Sequence, residues 1–378
     1  MQDSDTPLRG ERLTVIQDLW ELSQTELSKT LNISQSLLSK IAKRERALTP
    51  EIAARACQQF NLPFSFFAVE TPLEVSGVVT FRRGSKTTVR QNERVKALLR
   101  EATRAWAETS KASNYREATL PDPTLSTQEA AEWVRETDGL APHAPIKNTV
   151  RLLERLGVGV ITQLDQTQER SSTVSKTHAG ASIPASQNVR PLVALINPLP
   201  GAVARLTLAH ELGHLIYDQD RTHQIDGTRS IEEQRAFDFG MRLLVPNDYL
   251  ARKINENTPL KEFLPLKARF GVSVRALVTH AKKTGLISPA RERSLYIQMS
   301  ALGWNKEEPV AVATEKPMLF AQAATRVWPA NTTDNMSNDL GIPRDLADLW
   351  LNYDEKKSQE ATVLNLNEYR AKRRLSSI

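Results

Sequence analysis

The chain has 378 residues, 40% of them hydrophobic and 25% charged, enough for two or three ordinary soluble domains. No apolar run approaches the roughly 20 residues that span a bilayer, and the acidic, polar start Met1-Gln2-Asp3-Ser4-Asp5 does not read as a secretory signal. The single cysteine, Cys57, excludes an internal disulfide and a cysteine metal cage, and fits a reducing cytoplasm.

From Leu8 to Ala68 the sequence predicts short amphipathic helices. Arg12, Val15, Ile16 and Leu19 begin the first. Ser23 with Glu26 three residues on is a capping box for a second, Gln24 to Leu31. Asn32 suits the left-handed turn that follows. Ser34 caps a third helix with Leu37, Leu38 and Ile41 on its inner face, and Thr49-Pro50 opens a fourth. Val75 to Phe81 is strand-like. The net charge of +6 is matched by one short stretch. Arg82, Arg83, Lys86, Arg90, Arg94, Lys96, Arg100 and Arg104 face only Glu93 and Glu101 there. Lys86 to Ala107 reads as one helix, either a solvated face or a source of nucleic-acid backbone contacts.

Pro121, Pro123, Pro142 and Pro145 punctuate a connecting region with a short helix near Glu129–Glu136. Pro145 opens a helix to Leu156; Gly157–Ile161 and Leu192–Ile196 read as strands, with a polar loop at 169–177 between them. After Gly201 the pattern turns mostly helical. The fold class is α+β, mostly helical, with an all-α N-terminal domain and a second domain holding a small sheet. Residues 1–70, 71–140, 141–310 and 311–378 divide into the all-α N-terminal domain, a basic helical connection, the α+β domain and a C-terminal extension. The extension ends in Arg370, Lys372, Arg373 and Arg374, a solvated tail. Separate domains in limited contact are expected, so that 141–310 would fold without the first 110 residues.

The chemistry concentrates at His210-Glu211-Leu212-Gly213-His214. Two imidazoles four apart lie on one helix face and reach one ion, and Glu211 beside them is placed as general base. With six histidines in the chain, a chance match has a likelihood on the order of one in a hundred. Leu208, Leu212 and Leu215 form an opposite apolar stripe that would anchor the helix. A third ligand is sought on the next helix, Ile231 to Val245, where Glu233 lies 19 residues after His214. Glu232 is the rival, about 100° round the wheel. Ala236 and Gly240 are small enough for close helix approach.

The run Leu208 to Asp218 (LAHELGHLIYD), Glu233-Gln234-Arg235-Ala236 and Leu243-Leu244-Val245-Pro246 resembles the ImmA/IrrE family of metallopeptidases. The likeness extends from Leu153-Glu154-Arg155-Leu156-Gly157-Val158 to Gly303–Pro309, about residues 145–309. It implies a zincin-like domain with His210, His214 and Glu233 as metal ligands and Glu211 as catalyst. Zn²⁺ is the implied cofactor, with Mn²⁺ also suited to such donors. A bound transcriptional repressor is the implied substrate. Two positions depart from the family: Asp218 replaces a common histidine, and Ala236-Phe237-Asp238-Phe239-Gly240 replaces a preferred Ala-Asn-x-Phe-Ala. Tyr217, His178 and His223 are candidate oxyanion donors with packing or plain surface roles as the bland alternatives.

Residues 8–68 resemble the XRE/Cro-like helix-turn-helix family through Ser23–Leu31 and Ile33–Ile41. The resemblance places Gln35, Ser36, Ser39 and Lys40 toward bases in the major groove and Gln24 at a phosphate. The family's turn glycine is here Asn32, and Ala42-Lys43-Arg44 follows the recognition helix in place of an acidic position. The first 70 residues are not basic overall, so a protein-binding role is the rival. Together the modules imply a cytoplasmic regulator that binds a double-stranded DNA operator and cuts a regulator protein, with a second copy of the chain as a further candidate partner and no membrane. The alternatives are a transcription factor whose metallopeptidase-like domain senses a ligand or holds a structural metal, and a toxin–antitoxin or mobile-element regulator.

Overall fold

The computed structural model describes residues 7–69, 80–81, 88–165, 180–183, 190–219 and 230–351. Four helices come first: α1 (Arg12–Leu19), α2 (Gln24–Thr30), α3 (Gln35–Ala42) and α4 (Pro50–Phe60). Each begins where a local signal places it. The Ser23 hydroxyl accepts from Glu26 N while the Glu26 carboxylate accepts from Ser23 N, closing the capping box. Ser34 and Thr49 accept from Leu37 N and Ile52 N. Asn32 takes the left-handed turn between α2 and α3 with φ 51°. Leu13, Ile16, Leu27, Leu38, Ile41 and Phe66 close the core of this unit.

The rest of the chain runs β1 (Thr80–Phe81), α5 (Val89–Ala112), α6 (Thr127–Thr137), α7 (Thr149–Arg155), β2 (Gly159–Ile161), β3 (Gly180–Ser182) and β4 (Leu192–Leu195). Then come α8 (Gly201–Tyr217), α9 (Ile231–Leu244), α10 (Asn247–Ala251), α11 (Phe263–Phe270), α12 (Val274–Lys283) and α13 (Pro289–Ala301). Finally α14 (Leu319–Val327), α15 (Thr332–Leu340) and α16 (Arg344–Leu351) follow. The four strands lie in the order β1-β3-β4-β2. β2 pairs with β4 in parallel, and β3 is antiparallel to both β4 and β1.

Both sheet faces are covered, which explains why β4 is apolar at every position. Side chains alternate across a strand. Val193 and Leu195 therefore join the core built by Leu153 of α7 and Leu208 and Leu212 of α8. Leu192, Ala194 and Ile196 face the other way, onto Leu98, Ala102 and Trp106 of α5. Gly159 has a packing reason: a Cβ there would meet the Trp106 ring at 2.8 Å.

The basic helix departs most from expectation. It starts at Val89 rather than Lys86 and runs on to Ala112. Val95, Leu98, Leu99, Ala102, Ala105 and Trp106 bury one side against the sheet and the C-terminal helices. Two of its arginines are spent on structure: Arg94 grips Asp165 through bonds of 2.9 and 2.8 Å, and Arg104 bonds Glu101 and the Leu340 carbonyl. Arg100 stays exposed.

The limited contact expected between the two halves is corrected by the packing. α1 lies on α5, with Leu19 in the core of the sheet's α5 side. The Ser65 hydroxyl bonds the Asn338 carbonyl, and a Cβ on Gly341 would meet Ser65 O at 2.7 Å. Residues 311–351 are likewise no loose extension. Phe320 and Trp350 are buried in that same core, and Trp350 Nε1 donates to Leu164 O at 3.1 Å. The expected strand at 75–81 is described only at Thr80–Phe81; the loop at 169–177 and the tail basic residues lie outside the described residues. Among the described residues no helix is long and apolar enough to cross a membrane.

Candidate metal centre and nucleic-acid interface

α8 is buried along almost its whole length, because it sits between the sheet and α9. Glycine and alanine set how close α9 comes. A Cβ on Gly240 would stand 3.1 Å from His210 N, and one on Gly213 would stand 3.0 Å from Ala236 Cα. That contact brings the first turn of α9 over the His210–His214 face. Ser230 caps α9 by accepting from Glu233 N at 3.2 Å, which fixes where Glu233 begins.

The structure brings His210, His214 and Glu233 together, with one donor atom from each within 4.8 Å of the others. The two Nε2 atoms are 3.0 Å apart. Glu233 Oε2 lies 3.4 Å from His210 Nε2, and Glu233 Oε1 lies 3.5 Å from His214 Nε2. Glu233 is 6% exposed, yet its Oε2 accepts no hydrogen bond. A buried carboxylate oxygen without a donor is costly, and two imidazole nitrogens beside it complete a donor set suited to a zinc-type cation. The residues fit the ion that the motif implies. Glu232, the rival, is outside this cluster.

Behind the ligands stands a buried relay. His214 Nδ1 donates to Asp218 Oδ2 at 2.7 Å, and Arg235 Nη2 donates to Asp218 Oδ1 at 2.7 Å. The carboxylate keeps the proton on Nδ1 and leaves the Nε2 lone pair for an ion. Asp218 thus has a positioning role that the sequence reading noted only as a departure. Its signal was present: a carboxylate four residues after His214 on one helix face. Burial pulls His214 down, but Asp218, Glu233 and Glu211 more than offset it and lift the imidazole to about 9. Burial pushes Glu233 up, and the close His210 and His214 imidazoles outweigh it, holding this carboxyl well below the usual range.

Glu211 is fully buried, and burial raises its carboxyl above the ordinary value against the pull of His214 and His210. The Ser182 hydroxyl on β3 donates to Glu211 Oε2 at 2.7 Å. No sequence signal pointed to Ser182, because the contact joins a strand to a helix 29 residues away. Gly180 on the same strand lies against the Glu211 side chain, where a Cβ would meet Glu211 Cγ at 3.0 Å.

Tyr217 packs rather than serving the ligand set. Its ring stacks edge-on against Phe239 at 6.1 Å and lies beneath the Arg235 guanidinium at 4.8 Å. Burial drives its hydroxyl up to about 12. His178 and His223 lie outside the described residues. A cleft of about 500 Å³ opens onto His210, Glu211 and Glu233, walled by α8, α9 and α12.

At the other end of the molecule α3 buries Leu38 and Ile41 and leaves Gln35, Ser36 and Lys40 exposed, with Ser39 half-buried. Gln35 Nε2 donates to Gln24 Oε1 at 3.4 Å, so the starts of α2 and α3 meet. Arg55 holds the Leu31 and Asn32 carbonyls and ties the turn to α4. Lys43 and Arg46 are exposed, while Arg44 is paired with Glu11.

Comparison with known families matches two regions of the chain. Residues 153–281 match the IrrE N-terminal-like domain, a metallopeptidase-like unit, and residues 21–67 match the helix-turn-helix family. A search of curated proteins found no match.

Proposed function

We propose that this chain, carrying a helix-turn-helix unit and an IrrE N-terminal-like domain, is a DNA-binding regulator with a zinc-dependent endopeptidase. Its substrate would be a protein, of which a transcriptional repressor is our first candidate. The observation that carries the reading is the buried Glu233 carboxylate, its two oxygens each facing one imidazole nitrogen and its Oε2 without a hydrogen bond.

His210, His214 and Glu233 would hold the ion, which when bound supplies Lewis-acid polarisation of a water and of the scissile carbonyl. Glu211 takes the proton of the attacking water and returns it to the departing amine. Ser182 orients the Glu211 carboxylate, and Asp218 orients His214. A purely structural metal site has no need of a base, and Glu211 lines the same cleft as His210 and Glu233, which favours catalysis. At the other end Gln35, Ser36, Ser39 and Lys40 would read base edges while Gln24 positions the backbone.

The test is incubation of the full chain with candidate repressor proteins, with and without chelator. Glu211→Gln should retain stoichiometric metal and lose cleavage, whereas His210→Ala or His214→Ala should lose both. Equal metal in wild type and His210→Ala would sink the site.

A further inference from the structure

Apart from His210, Glu211 and Glu233, the only charged side chains among the described residues lining the cleft are Arg275 and Lys283. Both are on α12, with Thr279 midway between them, so the three are spaced four apart on one helix face. The result is a cation, a hydroxyl and a second cation along one wall.

The wall is built to hold its position. Glu308 Oε2 accepts from Val274 N at 2.8 Å and its Oε1 accepts from Arg275 N at 3.1 Å, satisfying the first turn of α12. Lys267 Nζ anchors that carboxylate at 2.9 Å. Each cation rests on an aromatic ring: Arg275 at 4.6 Å over Tyr296, and Lys283 at 4.6 Å over Phe237. Arg275 also donates to Asn305 Oδ1. Neither cation has an ion pair among the described residues, although the chain pairs many other arginines and lysines. The cleft's remaining lining is largely apolar, from residues such as Leu206 and Phe237.

We propose that the metal-bearing cleft selects protein substrates presenting an acidic side chain to α12, held by Lys283 and Arg275, with apolar residues beside it. This rests on the peptidase reading and names the substrate chemistry of that site. Rings hold the cations while leaving their charges uncancelled, and an incoming carboxylate completes both. The same wall repels basic segments, so the preference has a discriminating side as well.

The probes are two pools of fluorescein-labelled dodecapeptides, one of leucine, alanine and glutamate, the other identical with glutamine for each glutamate. Binding to full-length, metal-loaded Glu211→Gln protein is read by anisotropy at physiological salt. The glutamate pool should bind about tenfold tighter. Adding Arg275→Ala and Lys283→Ala should bring the pools within about twofold of each other. Both residues are exposed, and circular dichroism with metal content checks that the variant stays folded. Equal binding of the pools by the unmodified cleft overturns the proposal. So does an acid preference that survives the double substitution, since it then arises elsewhere on this basic chain. Cleavage of the same pools by the wild-type metal centre separates the two readings. An acid preference lost in the double variant, with no cleavage of any peptide, upholds the cleft chemistry and defeats the peptidase.

Discussion

Arg12 Nη1 donates to Glu101 Oε1 at 2.5 Å across the junction of α1 and α5, and neither side chain reaches solvent appreciably. Burial pushes the Glu101 carboxyl up, but Arg12 and Arg104 together outweigh it and bring it from 4.5 down to about 2. A depressed folded-state pKa stabilises above the unfolded value and loses that contribution as pH falls through the folded one. The window is therefore pH 4.5 to about 2, over which about 3 kcal/mol is lost. Arg12→Leu leaves a buried carboxylate with one partner and should cost about 3 kcal/mol or more at pH 7. Urea unfolding of the full chain checks this; unchanged stability would dismiss the ion pair as a joint.

Asp18 on the same junction behaves oppositely. Burial, reinforced by Glu93, raises its carboxyl to about 6, against the weaker pull of Arg100 and Lys96. A raised carboxyl favours the fold when protonated, so its contribution is complete below about 4 and gone once pH passes about 6. Asp18→Asn should stabilise the chain at pH 7.5 by roughly 1 kcal/mol, after discounting for solvent, and change little at pH 4. Equal effects at both pH values would contradict this assignment.

Asp218 should be the most sensitive residue outside the ligand set. Asp218→Asn keeps the shape but weakens the hold on the His214 tautomer, and a loss in metal affinity of about 10- to 100-fold is expected. Competition against a chromophoric chelator measures it. An affinity equal to wild type would mean that the carboxylate only pairs with Arg235.

Ser182→Ala should shift the acid limb of kcat/KM toward higher pH. The Ser182 hydroxyl stabilises the ionised Glu211, and its loss raises an already raised carboxyl. The base works when ionised, so activity should then appear only at more alkaline pH. Metal content should not change. A uniform fall at every pH would point to loss of packing instead.

Gln35→Ala with Lys40→Ala should weaken binding to operator DNA by about tenfold or more and leave the metal untouched. Gel-shift titration at fixed salt reads it. No difference at any salt concentration would move recognition off α3.

The parts of this molecule legible in the sequence are those written in local spacing. The Ser23–Glu26 capping box, the left-handed Asn32 and the i, i+4 histidines each fix geometry within one turn. Glu233 was reachable because Ala236 and Gly240 predicted close approach, and Gly240 indeed abuts His210. The fate of α5 was not legible. Its apolar stripe through Leu98, Ala102 and Trp106 is interleaved with arginines, and their partners Asp165 and Leu340 lie 71 and 236 residues away. Nothing local distinguishes an arginine committed to such a partner from one facing solvent. Ser182 was hidden for the same reason.

The packing of Trp106 over Gly159 bears on how such a regulator can be re-engineered or can diverge. A reading head for a new operator cannot be exchanged as a cassette cut near residue 110, because that cut carries α5 away and strips Leu192, Ala194 and Ile196 of their cover. A transplant confined to the exposed positions of α3 disturbs none of this. Retargeting by surface substitution is therefore open to this architecture, while wholesale shuffling of its front end requires α5 and the helices of 319–351 to remain with the sheet.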